Sequence, residues 1–249
     1  MRAMVLAAGL GTRLRPLTDD RPKALVEVAG RTLLEITLAR LRAFGIREVI
    51  VNAHHFAGMV REYLKAHDDF GMRIEVSHEE TLLDTGGGLK KAAWFFLEDS
   101  HCDEPFILHN VDVISTIDLG RMVQFHTQNQ ALGTLAVQNR ATSRYLLFDG
   151  KGHLRGRRPG SNLKREIALT EPQMQGLAFS GIHVISPRLL TRITEEGAFS
   201  IIDSYLRLAA QGEKILAFRA DEYDWRDLGK PDNVKQANED VLQKTLRLQ

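Results

Sequence analysis

Apolar residues recur along the chain in two rhythms. Short apolar or β-branched runs bounded by turn residues read as strands at 4–8, 48–52, 73–77, 105–109 and 132–137. Between them, apolar positions three and four apart predict helices. Thr32 caps the first, whose stripe is Leu33, Ile36, Leu38, Leu41 and Phe44, and Gly45 ends it. Further helices are expected at 56–66, 89–96 and 119–128, with a loop over 83–88. Near residue 138 the pattern changes to hairpins. Segments 145–148 and 153–155 flank the turn Asp149-Gly150-Lys151-Gly152. A strand at 177–185 follows, then a helix from the cap Ser200 through Leu208, with Asp203 in the capping-box position. Strands at 214–218 and 223–227 precede a last helix opened by Pro231.

Strands alternating with helices at this spacing predict right-handed βαβ units: a Rossmann-like α/β three-layer sandwich with a mixed, mainly parallel central sheet. Ligands in such sheets lie outside the C-terminal strand ends. The loop after the first strand, the glycine run 86–88 and Asp112 all follow strands and fall on that edge. The 249 residues suffice for one domain, 1–249, with halves 1–137 and 138–249 and no internal repeat.

Thirty-three basic against thirty-two acidic residues leave a net charge of +1, giving no global field for nucleic acid or membrane. Cys102 is the single cysteine, so no intramolecular disulfide forms. No apolar run approaches the roughly twenty residues of a membrane span. No signal-peptide pattern opens the chain, and the expected compartment is the cytoplasm.

The densest chemistry lies in the first twenty-five residues. Leu6-Ala7-Ala8-Gly9-Leu10-Gly11-Thr12-Arg13 leads through Arg15-Pro16 to Pro22-Lys23. Glycines at a strand end let backbone N–H groups approach an anion. Arg13, Arg15 and Lys23 add positive charge, and the prolines stiffen the segment. This is the chemistry of a polyphosphate cradle. It is not a P-loop, since no glycine precedes Lys23. A dinucleotide fingerprint needs glycine where Leu14 stands and helix where Pro16 stands.

The run G-x-G-T-R-x-x-P-x-T followed by P-K resembles the signature loop of sugar-1-phosphate nucleotidylyltransferases. Segments 80–90, 106–112 and 177–183 extend the resemblance over nearly the whole chain, in a pattern similar to the uridylyltransferases acting on N-acetylmuramate 1-phosphate. The resemblance implies a glycosyltransferase-A-like fold, a nucleotide half at 1–137 and a sugar-phosphate half at 138–249, without the β-helix domain of some relatives. It implies that a nucleoside triphosphate and a sugar 1-phosphate give a nucleotide-sugar and pyrophosphate. Arg13 and Lys23 take the catalytic roles. Leu6, Ala7, Ala8, Gly9, Gly11, Thr12, Glu80, Gly86, Gly87 and Asn110 join them in binding the nucleotide. Ser180 and Gly181 join Lys23 on the sugar phosphate, and Asp112 and Asp227 hold Mg²⁺. A monomer or homodimer is expected. Other bases, other hexose 1-phosphates, phosphocholine, or a sensor that binds without turnover remain as alternatives.

Two positions depart from the family pattern. Val111 stands beside the metal aspartate in place of a small residue, so its side chain is expected to crowd the sugar or diphosphate. Lys230 stands where threonine is common and is expected within reach of Asp227. The histidines show no metal spacing. Trp94-Phe95-Phe96 reads as core, and the basic stretch 151–166 as a solvated hairpin.

Overall fold

The computed structural model describes residues 1–98, 103–159, 166–167 and 174–243. Cys102, Lys164 and Arg165 lie outside them.

The central sheet starts with β1 (Arg2–Leu6), whose five residues alternate between two apolar environments. Ala3 and Val5 enter one core and Met4 the other. Short strands β2 (Glu27–Val28) and β3 (Arg31–Thr32) form a side ribbon before α1 (Leu33–Ala43). Thr32 caps α1 as expected, accepting from the Glu35 N–H at 3.0 Å. Then follow β4 (Glu48–Ala53), α2 (Ala57–Ala66), β5 (Arg73–His78), α3 (Asp84–Lys91), α4 (Ala93–Leu97) and β6 (Phe106–Asn110). After β6 come β7 (Val113–Ser115), α5 (Leu119–Gln128), β8 (Gly133–Gln138), β9 (Arg144–Phe148), β10 (Leu154–Pro159) and β11 (Glu166–Ile167). The chain closes through β12 (Gln175–Ile185), α6 (Ile201–Ala210), β13 (Ile215–Arg219), β14 (Trp225–Asp227) and α7 (Pro231–Leu242).

The sheet order is β5-β4-β1-β6-β12-β9-β10-β11, with β8 and then β13 also attached along β12. All its strands but β10 and β12 run in one direction. Odd and even positions of the strands feed two cores. Leu33, Leu38 and Leu41 of α1, Val60 of α2, Met122 of α5 and Val234 of α7 lie on one face. Leu89 of α3, Phe95 of α4 and Tyr205 of α6 lie on the other. This is the expected three-layer sandwich. Buried on both faces, the central strands carry near-continuous apolar runs.

Several boundaries differ from expectation. The first strand covers 2–6, which leaves Ala7 and Ala8 in the following loop. The glycine run is not a loop but the first turns of α3. The helix expected at 89–96 is interrupted at Ala92, where α3 gives way to α4. Trp94 is half exposed, whereas Phe95 and Phe96 are core. Asp203 does not close a capping box: its carboxylate pairs with Arg157 at 2.7 Å, while Ser200 alone caps α6.

Candidate active site

Three parallel strands end together. Leu6 of β1 lies in register between Asn52 of β4 and Asn110 of β6. The opening loop leaves the sheet at this edge. Gly11 takes φ +66, and a Cβ there would sit 2.9 Å from Thr18 Cγ2 and 3.3 Å from Lys23 Cβ. The Thr18 hydroxyl donates back to the Gly11 carbonyl at 2.8 Å. The loop is thereby folded onto itself, and only glycine fits at its tightest point. Gly9, Thr12 and Arg13 are exposed, Ala7 and Ala8 buried and Leu6 half-buried.

A second loop continues from β6. Val111 donates its N–H to the Leu6 carbonyl at 3.1 Å and buries its side chain in the core. It therefore points away from the edge, and the expected crowding of sugar or diphosphate by Val111 is not what the structure has. Asp112 follows, then β7. The buried Arg40 of α1 anchors the end of β7, donating to the Ser115 carbonyl and hydroxyl and to the Ile117 carbonyl. Burial lowers its pKa to about 10, still leaving it cationic at neutral pH.

Strand β14 pairs antiparallel with β7, setting Asp227 opposite Val113. The Leu228 N–H donates to the Asp112 carbonyl at 2.8 Å. Four chemically distinctive side chains then meet. Lys23 Nζ pairs with Asp112 Oδ2. A Cβ on Gly229 would lie 2.7 Å from Asp227 Oδ1, 3.1 Å from Arg13 Nη2 and 3.4 Å from Asp112 Oδ2. Lys230 is exposed and, among the described residues, makes no ion pair with Asp227. The Gly229 N–H serves Asp227 Oδ1 instead, at 2.7 Å.

Ser180 and Gly181, expected on the sugar phosphate, lie at an irregularity in β12. Its register against β8 shifts between Phe179 and His183. Ser180 and Gly181 sit within this bulge, which re-aims the strand beside the site. Gly181 has φ +75, and a Cβ there would stand 2.9 Å from both Asn110 Nδ2 and Val113 Cγ2. The Ser180 carbonyl accepts from Trp225 Nε1 at 2.7 Å. Arg140 stacks 3.6 Å over the Trp225 ring and donates to the Phe179 carbonyl at 2.7 Å. Burial lowers its pKa, an effect opposed by the nearby Asp227 carboxylate.

The residues expected on the nucleobase side lie between β5 and α3 and in the first turn of α3. Glu80 is exposed, whereas its neighbour Glu79 is fully buried. The N–H groups of Gly86 and Gly87 donate to the Phe199 carbonyl at 2.9 and 3.4 Å. These glycines thus serve helix packing in this structure. Sequence reasoning missed Asn52, Glu79, Arg40 and Arg140. Of these only Arg140, a cation after a strand on the ligand edge, left any signal. His109 is no candidate base: it is fully buried, and desolvation takes its pKa down to about 3.

Two carboxylates and one exposed guanidinium aimed at one point suit a hard cation shared with phosphate. Mg²⁺ favours one or two carboxylates plus substrate oxygens over an all-protein cage. The cradle around Gly229 therefore suits the expected ion.

The fold and this edge define a phosphate-handling α/β enzyme. The nucleotidyl transferase family model matches residues 2–148, and the chain belongs to that family as a sugar-1-phosphate nucleotidyltransferase. It is 35% identical over 234 residues to the N-acetylmuramate alpha-1-phosphate uridylyltransferase of Caulobacter vibrioides, covering 92% of each. It is 30% identical to mannose-1-phosphate guanyltransferase beta-B of Xenopus laevis, covering 93% of this chain but 62% of that one. In structure it resembles HddC of Yersinia pseudotuberculosis in complex with GMP-PN, with TM-score 0.75 and 20% identity, over 96% of this chain and 99% of that one. That likeness confirms the fold.

Proposed function

We propose that the chain transfers a uridylyl group from UTP to N-acetylmuramate 1-phosphate, releasing pyrophosphate. The observation that carries the chemistry is the meeting of Arg13, Asp112 and Asp227 around Gly229, with Lys23 on Asp112. The choice of base and sugar follows the Caulobacter relative, which matches over nearly its full length.

The nucleophile is a phosphate oxygen of the sugar phosphate. With a second pKa of about 6 it is largely dianionic at neutral pH and needs no general base. Its attack on the α-phosphorus breaks the bond to the bridging oxygen, and that electron pair leaves with pyrophosphate. The protein's task is to hold two polyanions in line and stabilise their charge. Arg13 stabilises the departing pyrophosphate. Lys23 neutralises the α-phosphate and the incoming phosphate, which requires it to leave Asp112. Asp112 and Asp227 would hold Mg²⁺, which would supply positive charge to stabilise phosphate oxygens. The opening loop and Asn110 hold the nucleotide, and the bulge at Ser180 and Gly181 faces the sugar phosphate. A cytoplasmic role in supplying cell-wall precursors accords with these substrates.

Arg13→Ala or Lys23→Ala is expected to lower kcat by about 10²–10³-fold, the range for loss of one transition-state donor. Asp112→Asn is expected to lose most metal-dependent turnover. The test is pyrophosphate release with Mg²⁺ over UTP, GTP, CTP and dTTP against N-acetylmuramate, mannose, glucose and N-acetylglucosamine 1-phosphates and phosphocholine. Strongest turnover with UTP and N-acetylmuramate 1-phosphate supports the reading. Strongest turnover with another pair replaces the substrates but keeps the chemistry. Full activity in all three variants overturns the site.

A further inference from the structure

Beneath the edge where the strands end, two polar side chains of the core connect two loops. Asn52 lies near the end of β4 and is 2% exposed; Glu79 follows β5 and is fully buried. Neither contacts the cluster at Gly229, and the proposed chemistry uses neither. Their hydrogen bonds have a fixed direction. The Ala7 N–H can only donate, and it reaches Asn52 Oδ1 at 2.7 Å. Asn52 must then present its amide nitrogen to Glu79 Oε1, also at 2.7 Å. The Leu83 N–H donates to the remaining oxygen, Glu79 Oε2, at 3.0 Å. One line of hydrogen bonds thus runs from the opening loop at Ala7 to the entry of α3 at Leu83.

The third glycine of α3 belongs to the same device. A Cβ on Gly88 would stand 2.6 Å from Glu79 Oε1 and 2.8 Å from Asn52 Nδ2. The His54 ring nitrogen lies 2.8 Å from the Glu79 carbonyl and fixes the backbone there. A buried carboxylate held this way is strongly destabilising when half of the arrangement is lost.

We propose that Asn52 and Glu79 are positioning residues that set the separation of the opening loop from the 79–84 segment, and that this separation governs nucleoside triphosphate affinity. The inference rests on the preceding reading for where the nucleotide lies. The direction of the hydrogen bonds supplies a test that a general packing role does not pass. Glu79→Gln replaces one acceptor by a donor, so a donor faces the Leu83 N–H or the Asn52 amide. Asn52→Asp sets a second carboxylate against Glu79. The two changes together restore every bond, with the polarity between the two side chains reversed. The carboxylate now at position 52 accepts from the Ala7 N–H and from the amide now at position 79, whose oxygen accepts from Leu83.

The experiment measures KM for the triphosphate, KM for the sugar phosphate and kcat in the parent, both single variants and the double variant. The probe is MgUTP with N-acetylmuramate 1-phosphate, or whichever pair the substrate matrix selects. Each single variant is expected to raise the triphosphate KM at least tenfold, with the sugar-phosphate KM and kcat within threefold of the parent. The double variant is expected to return to within threefold of the parent in all three. If the single variants leave the triphosphate KM unchanged, or raise both KM values alike, the proposal is overturned. If a single variant does not fold, the double variant decides. Its folding with near-parental triphosphate KM supports the relay, and failure to fold or to recover KM overturns it. A parent that turns over no pair in the matrix defeats the functional reading instead, and is seen before any variant is made.

Discussion

Gly229 lacks a side chain where three others already aim their polar atoms. It is buried, and its φ lies outside the left-handed region, so an alanine there meets crowding and not backbone strain. The methyl group would press on Asp227 Oδ1 and displace Arg13 from the shared point. Gly229→Ala is expected to lower kcat by at least tenfold and to raise the Mg²⁺ concentration for half-maximal rate, with thermal stability nearly unchanged. A metal titration of turnover beside a melting curve checks both. Arg140 acts farther out, through Trp225 and the Phe179 carbonyl at the bulge. Lysine retains the charge but neither the planar stacking nor the same donor geometry. Arg140→Lys is therefore expected to raise the sugar-phosphate KM several-fold with little effect on the triphosphate KM, as steady-state kinetics would show. At this scale the sequence announces residues that sit in contiguous motifs, such as Arg13, Lys23 and the aspartates. It does not announce Asn52 and Glu79, whose pairing joins two strands through side chains and leaves no periodic trace. Nor does it show that Glu79 is buried and Glu80 exposed, because β5 ends at His78 and the strand alternation gives no phase beyond it.

Among the elements, α3 departs furthest from local preference. Three consecutive glycines are poor helix formers, each about 1 kcal/mol less favourable than alanine. Their sequence therefore reads as a loop. Tertiary packing reverses this, because the helix start is pressed against the 197–199 segment. A Cβ on Gly86 would overlap the Phe199 ring, and one on Gly87 would overlap the Gly197 carbonyl. Gly86→Ala thus gains helix propensity and loses more to overpacking, about 1–3 kcal/mol net of relaxation. Urea unfolding is expected to show that loss, and Phe199→Leu in the same chain to recover part of it. The short strand β7 is equally hard to read, whereas β14 falls within the strand expected at 223–227. Three residues carry too little alternation to identify β7, and only its pairing with β14 gives it a place.

Across the molecule, β1, β4 and β6 are legible because each is a short apolar run bounded by turn residues. The antiparallel insertion of β12 between β6 and β8 is not, since pairing direction leaves no mark on the apolar rhythm. That insertion brings His183 into the interior with His109 and Tyr205. Desolvation lowers both histidines to about 3. His126, held between Thr134 and Ser186 hydroxyls, is lowered by burial to about 4. In the unfolded chain each titrates near 6.5. Between those values the unfolded state binds more protons, so stability falls as pH drops below about 6.5 and is unaffected by these groups above it. The urea midpoint is expected to be lower at pH 5 than at pH 7. His126→Gln should reduce the stability difference between those pH values by about 2 kcal/mol.

The ribbon of β7 and β14 joins an aspartate from the middle of the chain to one near its end. During synthesis at about 5–20 residues per second, Arg13 and Lys23 emerge seconds after initiation and Asp227 tens of seconds later. A nascent chain therefore carries its cations long before it carries both carboxylates. On the proposed function, competence arrives with β14, and a nascent chain stalled short of it has half of the cradle and none of its closure.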